Sequence, residues 1–162
     1  MSLIISTVEP DDLADVLALN QAEVPHVGTV DIEQMHWFAE HAACFRVARL
    51  DDGLAGFLIG LRPGTDYQSE NYRWFCEHYP DFAYVDRVAV AIPARRHGVA
   101  SALYQDFAAS VPASVKLMTC EVNLDPPNDT SMRFHERLGF RQVDTLSHDA
   151  GKKIVALLVK EF

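Results

Sequence analysis

Tyr84-Val-Asp-Arg-Val-Ala-Val-Ala-Ile-Pro-Ala-Arg-Arg-His-Gly-Val-Ala-Ser-Ala-Leu-Tyr104 reads as a strand, a turn and the start of a helix. Tyr84 to Ala91 is β-branched and alternating, which predicts a strand. Pro93 ends it, because proline has no N–H to give a ladder. From Val99 onward, Val99, Ala102, Leu103 and Phe107 recur at helical spacing. The turn between them, Arg95-Arg96-His97-Gly98-Val99-Ala100, holds two arginines and a glycine. A helix N-terminus offers unpaired N–H groups and a partial positive charge, so this turn suits an anion, above all a phosphate. Gly98 permits a positive φ and close approach of a ligand. An ordinary strand-to-helix connection with a surface arginine pair has the same composition, and physics alone leaves both readings open.

Around this stretch the chain is 162 residues long, enough for one domain spanning residues 1–162 with a real core. Its apolar share of 49% and charged share of 23% are those of a soluble globular protein. No apolar run is long enough to span a bilayer and no charged-then-apolar leader opens the chain, so a cytoplasmic location is expected. The net charge of −9 argues against nucleic acid or an anionic membrane as partner and fits a cationic acceptor such as an amine. Cys44, Cys76 and Cys120 are odd in number and widely spaced, so they are read as reduced. His36 and His41 are five apart, not the four that would put two ligands on one helical face, and no metal site is expected.

In chain order, Leu3 to Val8 predicts a strand, and Pro10-Asp11-Asp12 opens a helix with Leu13, Val16 and Leu17 inward. Asn20 to Thr29 is a loop, followed by a helix from Asp31 that uses Ile32, Met35, Phe38 and Ala39. Cys44 to Leu50 and Leu54 to Leu61 form a hairpin about Asp51-Asp52-Gly53. Arg62 to Asp81 is a long connection rich in aromatics, with a short helix over Asn71 to His78. It is either an aromatic flap over the acceptor, with Tyr72 and Trp74 touching substrate, or a lid that caps a sheet edge. Leu117 to Val122 is the next strand, and Asn123 to Pro127 a turn. A helix then runs from Asn128 to Leu138, capped by Gly139, with Asn128 or Asp125 at its start. Phe140 to Leu146 and Lys153 to Val159 close the chain as a hairpin.

Val90 followed by Arg95-x-x-Gly98-x-Ala100 resembles the acetyl-coenzyme A signature of the GNAT acetyltransferases, (Gln/Arg)-x-x-Gly-x-(Gly/Ala) after a strand. Asn128-Asp-Thr-Ser131-Met-Arg-Phe134-His135-Glu-Arg-Leu138-Gly139-Phe140 resembles the family's later helix, Asn-x-x-Ala-x-x-hydrophobic-Tyr-x-x-x-Gly-Phe. The resemblance implies an α/β (α+β) fold with a mixed, mostly antiparallel sheet, a V-shaped splay between two central strands, and helices on both faces. It implies acetyl-coenzyme A as co-substrate, an amine of a small molecule or peptide as acceptor, and sequential transfer with both bound. It also leaves room for a homodimer. The rival reading is a non-catalytic module that senses acyl-coenzyme A.

On that resemblance the pantetheine arm would lie along Val88, Ala89 and Val90, with the Val88 N–H near the acetyl oxygen. The diphosphate would sit on Arg95, Arg96, His97, Gly98, Val99, Ala100 and Ser101. Asn128, Ser131 and His135 would meet the cofactor arm from the later helix, and Trp37 would border the acceptor. A general base is sought on the cleft strands, where Glu121 and Asp86 are the carboxylates and Tyr84 a third choice. His135 stands where the family carries a tyrosine that protonates the departing thiolate. Imidazolium can do the same, yet Ser131, Phe134, His135 and Leu138 share a helical face, which equally fits a core histidine.

Overall fold

A computed structural model describes residues 2–162, and the chain forms two compact units. One comprises the residues up to Leu61 with Arg87–Val111, the other Arg62–Asp86 with Pro112–Phe162. The elements are β1 (Leu3–Thr7), α1 (Leu13–Ala22), α2 (Ile32–His41), β2 (Cys44–Leu50), β3 (Gly53–Leu61), α3 (Glu70–His78) and β4 (Ala83–Val90). After these come α4 (Val99–Ser110), β5 (Leu117–Asp125), α5 (Asp129–Leu138), β6 (Arg141–His148) and β7 (Lys153–Glu161). The strands form a mixed, mostly antiparallel sheet in the order β1-β2-β3-β4-β5-β7-β6, with helices on both sides. Strand β4 runs from the second unit into the first between Asp86 and Arg87.

In the first unit the β2–β3 hairpin turns on Asp51 and Asp52, both at positive φ (49° and 71°), a region aspartate tolerates better than most residues. Strand β3 is buried from Ala55 to Leu61, as its apolar run requires. Gly60 lets α4 come down on it: a Cβ there would lie 2.4 Å from the Phe107 ring. In α1 the buried stripe is Leu13, Val16 and Asn20, with Leu17 only half-buried. Asn20 is fully buried because it is bonded on both sides. Its Nδ2 donates to the Gly28 carbonyl (3.1 Å), and its Oδ1 accepts from Arg87 Nη1 (3.0 Å). The same guanidinium donates to the Gly28 carbonyl (2.9 Å), so the expected loop after α1 is clamped to β4. Helix α2 starts with a reciprocal cap between Asp31 and Gln34 and buries Met35 and Phe38. Ile32 and Ala39, expected inward, are exposed, Ile32 by 40%.

In the second unit Ser69 caps α3, accepting the Tyr72 N–H at 3.3 Å. Strands β4 and β5 pair in parallel at Ala83↔Met118 and Tyr84↔Thr119, while β5 pairs with β7 along its whole length. Strand β5 ends at Asp125 rather than Val122, since its ladder continues past a bulge between Asn123 and Asp125. Asn128 is the cap of α5, accepting the Ser131 N–H at 3.3 Å, and Gly139 ends that helix at φ 100°. The β6–β7 hairpin closes the unit.

Candidate active site

The carboxylates expected on β4 and β5 meet at one phenol in the second unit. Tyr84 is fully buried, and its hydroxyl donates to Glu121, lying 2.9 and 2.8 Å from the two carboxylate oxygens. Asp86 Oδ1 lies 3.5 Å from the same hydroxyl and accepts a 2.7 Å bond from Tyr67. Burial, then the charges of Glu121 and Asp86, push the Tyr84 phenol well above its ordinary value. It therefore stays protonated at neutral pH and acts as a donor toward Glu121. Both carboxylates are only partly buried, within reach of a ligand.

The aromatics of the 62–81 segment divide by role. Tyr72 is 1% exposed and packs on Tyr84 at a ring distance of 5.6 Å. Its hydroxyl donates to the Arg62 carbonyl (2.8 Å) and accepts from the Thr65 N–H (3.2 Å) and hydroxyl (2.9 Å). Tyr72 is thus a pin within the segment, with no surface for a substrate. Phe75 adds a second ring against Tyr84 at 5.8 Å. Trp74 is half-buried and stacks on His78 at 3.8 Å. Tyr67, which no spacing in the sequence singled out, is the residue that reaches Asp86.

His135 is 4% exposed in α5, with the Phe134 and Phe140 rings edge-on at 5.2 and 5.3 Å. Its Nδ1 lies 2.8 Å from the Ser131 carbonyl and 3.3 Å from the Ser131 hydroxyl. A carbonyl only accepts, so the neutral ring keeps its proton on Nδ1. Burial lowers the pKa of His135 and outweighs the opposing Ser131 bond. Asn128 Oδ1 is committed to Ser131, so any contact with a ligand falls to its amide nitrogen.

The first unit holds the strand-to-helix turn. Arg95, Arg96, His97 and Gly98 are exposed, whereas Val99 is buried and can offer only its N–H. Gly98 precedes α4 at φ 74°, with nothing within 4 Å of the place a Cβ would take. The first intrahelical bond runs from Ala102 N to the Gly98 carbonyl, so the N–H groups of Val99, Ala100 and Ser101 have no partner within the helix. Arg95 is ion-paired with Glu23 at 2.5 Å. Open space, the exposed Arg96 and N–H groups without a helical partner fit a diphosphate. Ala89 is buried and Val88 and Val90 half-buried at the end of β4. Trp37 is half-buried on α2, stacked on His41 at 4.6 Å. Cys120, the one thiol on β5, is buried, and burial pushes the Cys44 thiol up to about 12.

Residues 13–140 match the sequence profile of the acetyltransferase (GNAT) family. No curated protein matches the chain. Among solved structures it is similar to Ard1 from Thermoplasma volcanium, with TM-score 0.79, 19% identity, and 99% and 98% of the two chains covered. It is similar to Arabidopsis thaliana NAA60 in complex with acetyl-CoA, with TM-score 0.77, 18% identity, and coverage of 99% and 100%. Arabidopsis thaliana Naa50 in complex with the bisubstrate analogue CoA-Ac-MVNAL gives TM-score 0.76, 16% identity, and full coverage of both chains. At these identities the structural likeness establishes the fold.

Proposed function

The chain belongs to the acetyltransferase (GNAT) family, and from that premise we propose that it moves the acetyl group of acetyl-coenzyme A directly onto an amine of a small molecule or peptide. The observation that carries the reading is the buried Tyr84 phenol shared between Glu121 and Asp86. An ammonium must lose a proton before its nitrogen can attack a thioester, and a partly buried carboxylate is a competent acceptor for it. Glu121 takes that proton, while the protonated Tyr84 holds the carboxylate in place. The Arg95–Ser101 turn binds the co-substrate's diphosphate through its N–H groups and cations. Val88 and Val90 supply backbone groups to the arm, with the Val88 N–H toward the acetyl oxygen, as in the family. Asn128 serves both as helix cap and, through its amide nitrogen, as a contact for the arm. Trp74 and Trp37 remain the acceptor contacts, and His135 is assigned to packing.

The net charge of −9 supports a cationic acceptor. Unbridged Cys44, Cys76 and Cys120 support action in the cytoplasm. No helix among the described residues is long and apolar enough to cross a membrane. A homodimer is proposed from the family alone.

The test is thiol release from acetyl-coenzyme A with a panel of amines: the free peptide Met-Val-Asn-Ala-Leu, an N-blocked lysine peptide, and spermidine. Amine-dependent release is expected. Glu121→Gln should lower kcat/KM about 10²-fold and flatten the acidic limb of its pH profile, with Asp86→Asn the comparison. Coenzyme A binding without amine-dependent release would instead make the chain a sensor.

A further inference from the structure

We propose that Tyr67 is a positioning residue that decides which carboxylate Tyr84 serves. The inference rests on the reading of Glu121 as proton acceptor. Tyr84 has one hydroxyl proton and two carboxylates within reach, Glu121 at 2.9 and 2.8 Å and Asp86 Oδ1 at 3.5 Å. An O–H···O bond is strongest near 2.7 Å and fades by about 3.5 Å, so the proton lies toward Glu121. Asp86 Oδ1 is held at the longer distance while accepting a 2.7 Å bond from Tyr67. The same oxygen faces both phenols, and Tyr67 satisfies it. Without the Tyr67 hydroxyl, that oxygen competes with Glu121 for the Tyr84 proton, and the Tyr84–Glu121 bond is weakened.

Tyr67 is built for this placement. Its N–H donates to the Thr65 hydroxyl at 3.3 Å, its ring packs 5.6 Å from Tyr72, and Tyr72 is pinned by its own hydroxyl to the Arg62 carbonyl. The segment between β3 and α3 thus delivers a hydroxyl to the site, while Tyr72 and Phe75 of α3 wall Tyr84. Among the groups that face Asp86 are Tyr67 from this segment, Tyr84 from β4 and, through Tyr84, Glu121 from β5.

The experiment is a double-mutant cycle on kcat/KM, read as thiol release from acetyl-coenzyme A with the best amine of the panel, or with water where no amine works. Tyr67→Phe keeps the ring and removes the hydroxyl. It should lower kcat/KM about tenfold in the native background and less than about twofold beside Asp86→Asn, because the amide no longer competes for the phenol proton as a charge. Urea midpoints of the four proteins check that each is folded. A ring that only supports the segment would give the same loss in both backgrounds, and that outcome, or no loss at all, overturns the assignment. If Glu121→Gln leaves kcat/KM unchanged, the proton-acceptor reading falls and this inference with it. If Glu121→Gln slows the enzyme while the cycle is additive, only the role of Tyr67 falls.

Discussion

His135 stands at a position where sequence left two roles open, and its surroundings favour the structural one. Its proton is held at Nδ1 by the Ser131 carbonyl, and burial keeps the ring neutral. A lowered folded pKa means that the unfolded chain binds this proton first as pH falls. The stability is therefore complete above the unfolded value of about 6.5 and is lost between there and the lower folded value. His135→Phe has no such proton to bind. In urea, the stability difference between wild type and variant should shrink as the pH is taken from about 7.5 to about 5.5. The same variant should keep its kcat. A slowed His135→Phe enzyme restored by His135→Tyr would return this side chain to the role of acid.

At the scale of elements, the segment from Arg62 to Asp81 carries the most weight. Tyr72→Phe leaves the Arg62 carbonyl and the Thr65 N–H without their buried partner, at a cost of about 1–3 kcal/mol. Urea unfolding should show that loss together with a lower kcat/KM, since the same pin holds the loop that carries Tyr67. An unchanged midpoint would mean that water replaces the hydroxyl at no cost. Elements marked by local chemistry could be read from the sequence. The Asp51-Asp52-Gly53 turn, the stop at Gly139 and the Arg95–Ala100 turn each depend on neighbours in the chain, whereas the choice of Asn128 over Asp125 as the α5 cap needed the structure. What escaped the sequence depends on partners far along it. Asn20 looks like a surface residue until Gly28 and Arg87 bond to it. Asn123 to Asp125 looks like a turn until β7 pairs with it across a bulge. Alternation places Glu121 and Asp86 on their strands, but it marks neither their common phenol nor Tyr67, nineteen positions before Asp86, where no local pattern marks a pairing.

At the scale of the molecule, a chain of net charge −9 must meet a polyanionic co-substrate, and its exposed Arg96, next to an Arg95 already paired with Glu23, is a local exception to that field. Like charges repel over a Debye length that shrinks to about 8 Å at physiological salt. Stopped-flow association of coenzyme A should therefore quicken as salt is added to a dilute buffer, and a steady slowing would show that the arginine turn dominates the approach. The division of the chain has a consequence of another kind, in the order of its making. The first unit needs residues as late as Val111, while the second begins at Arg62 and waits for Pro112–Phe162. Neither can be finished before the other has been started on the ribosome. Tyr67, Tyr72, Phe75, Phe82 and Tyr84 leave the exit tunnel well before β5, the strand whose Glu121 and Thr119 meet Tyr84. At about 5–20 residues per second, this most aromatic part of the protein spends seconds in water without its partner strand. A nascent chain halted with Val111 just clear of the tunnel is then a natural client for a chaperone that grips exposed rings.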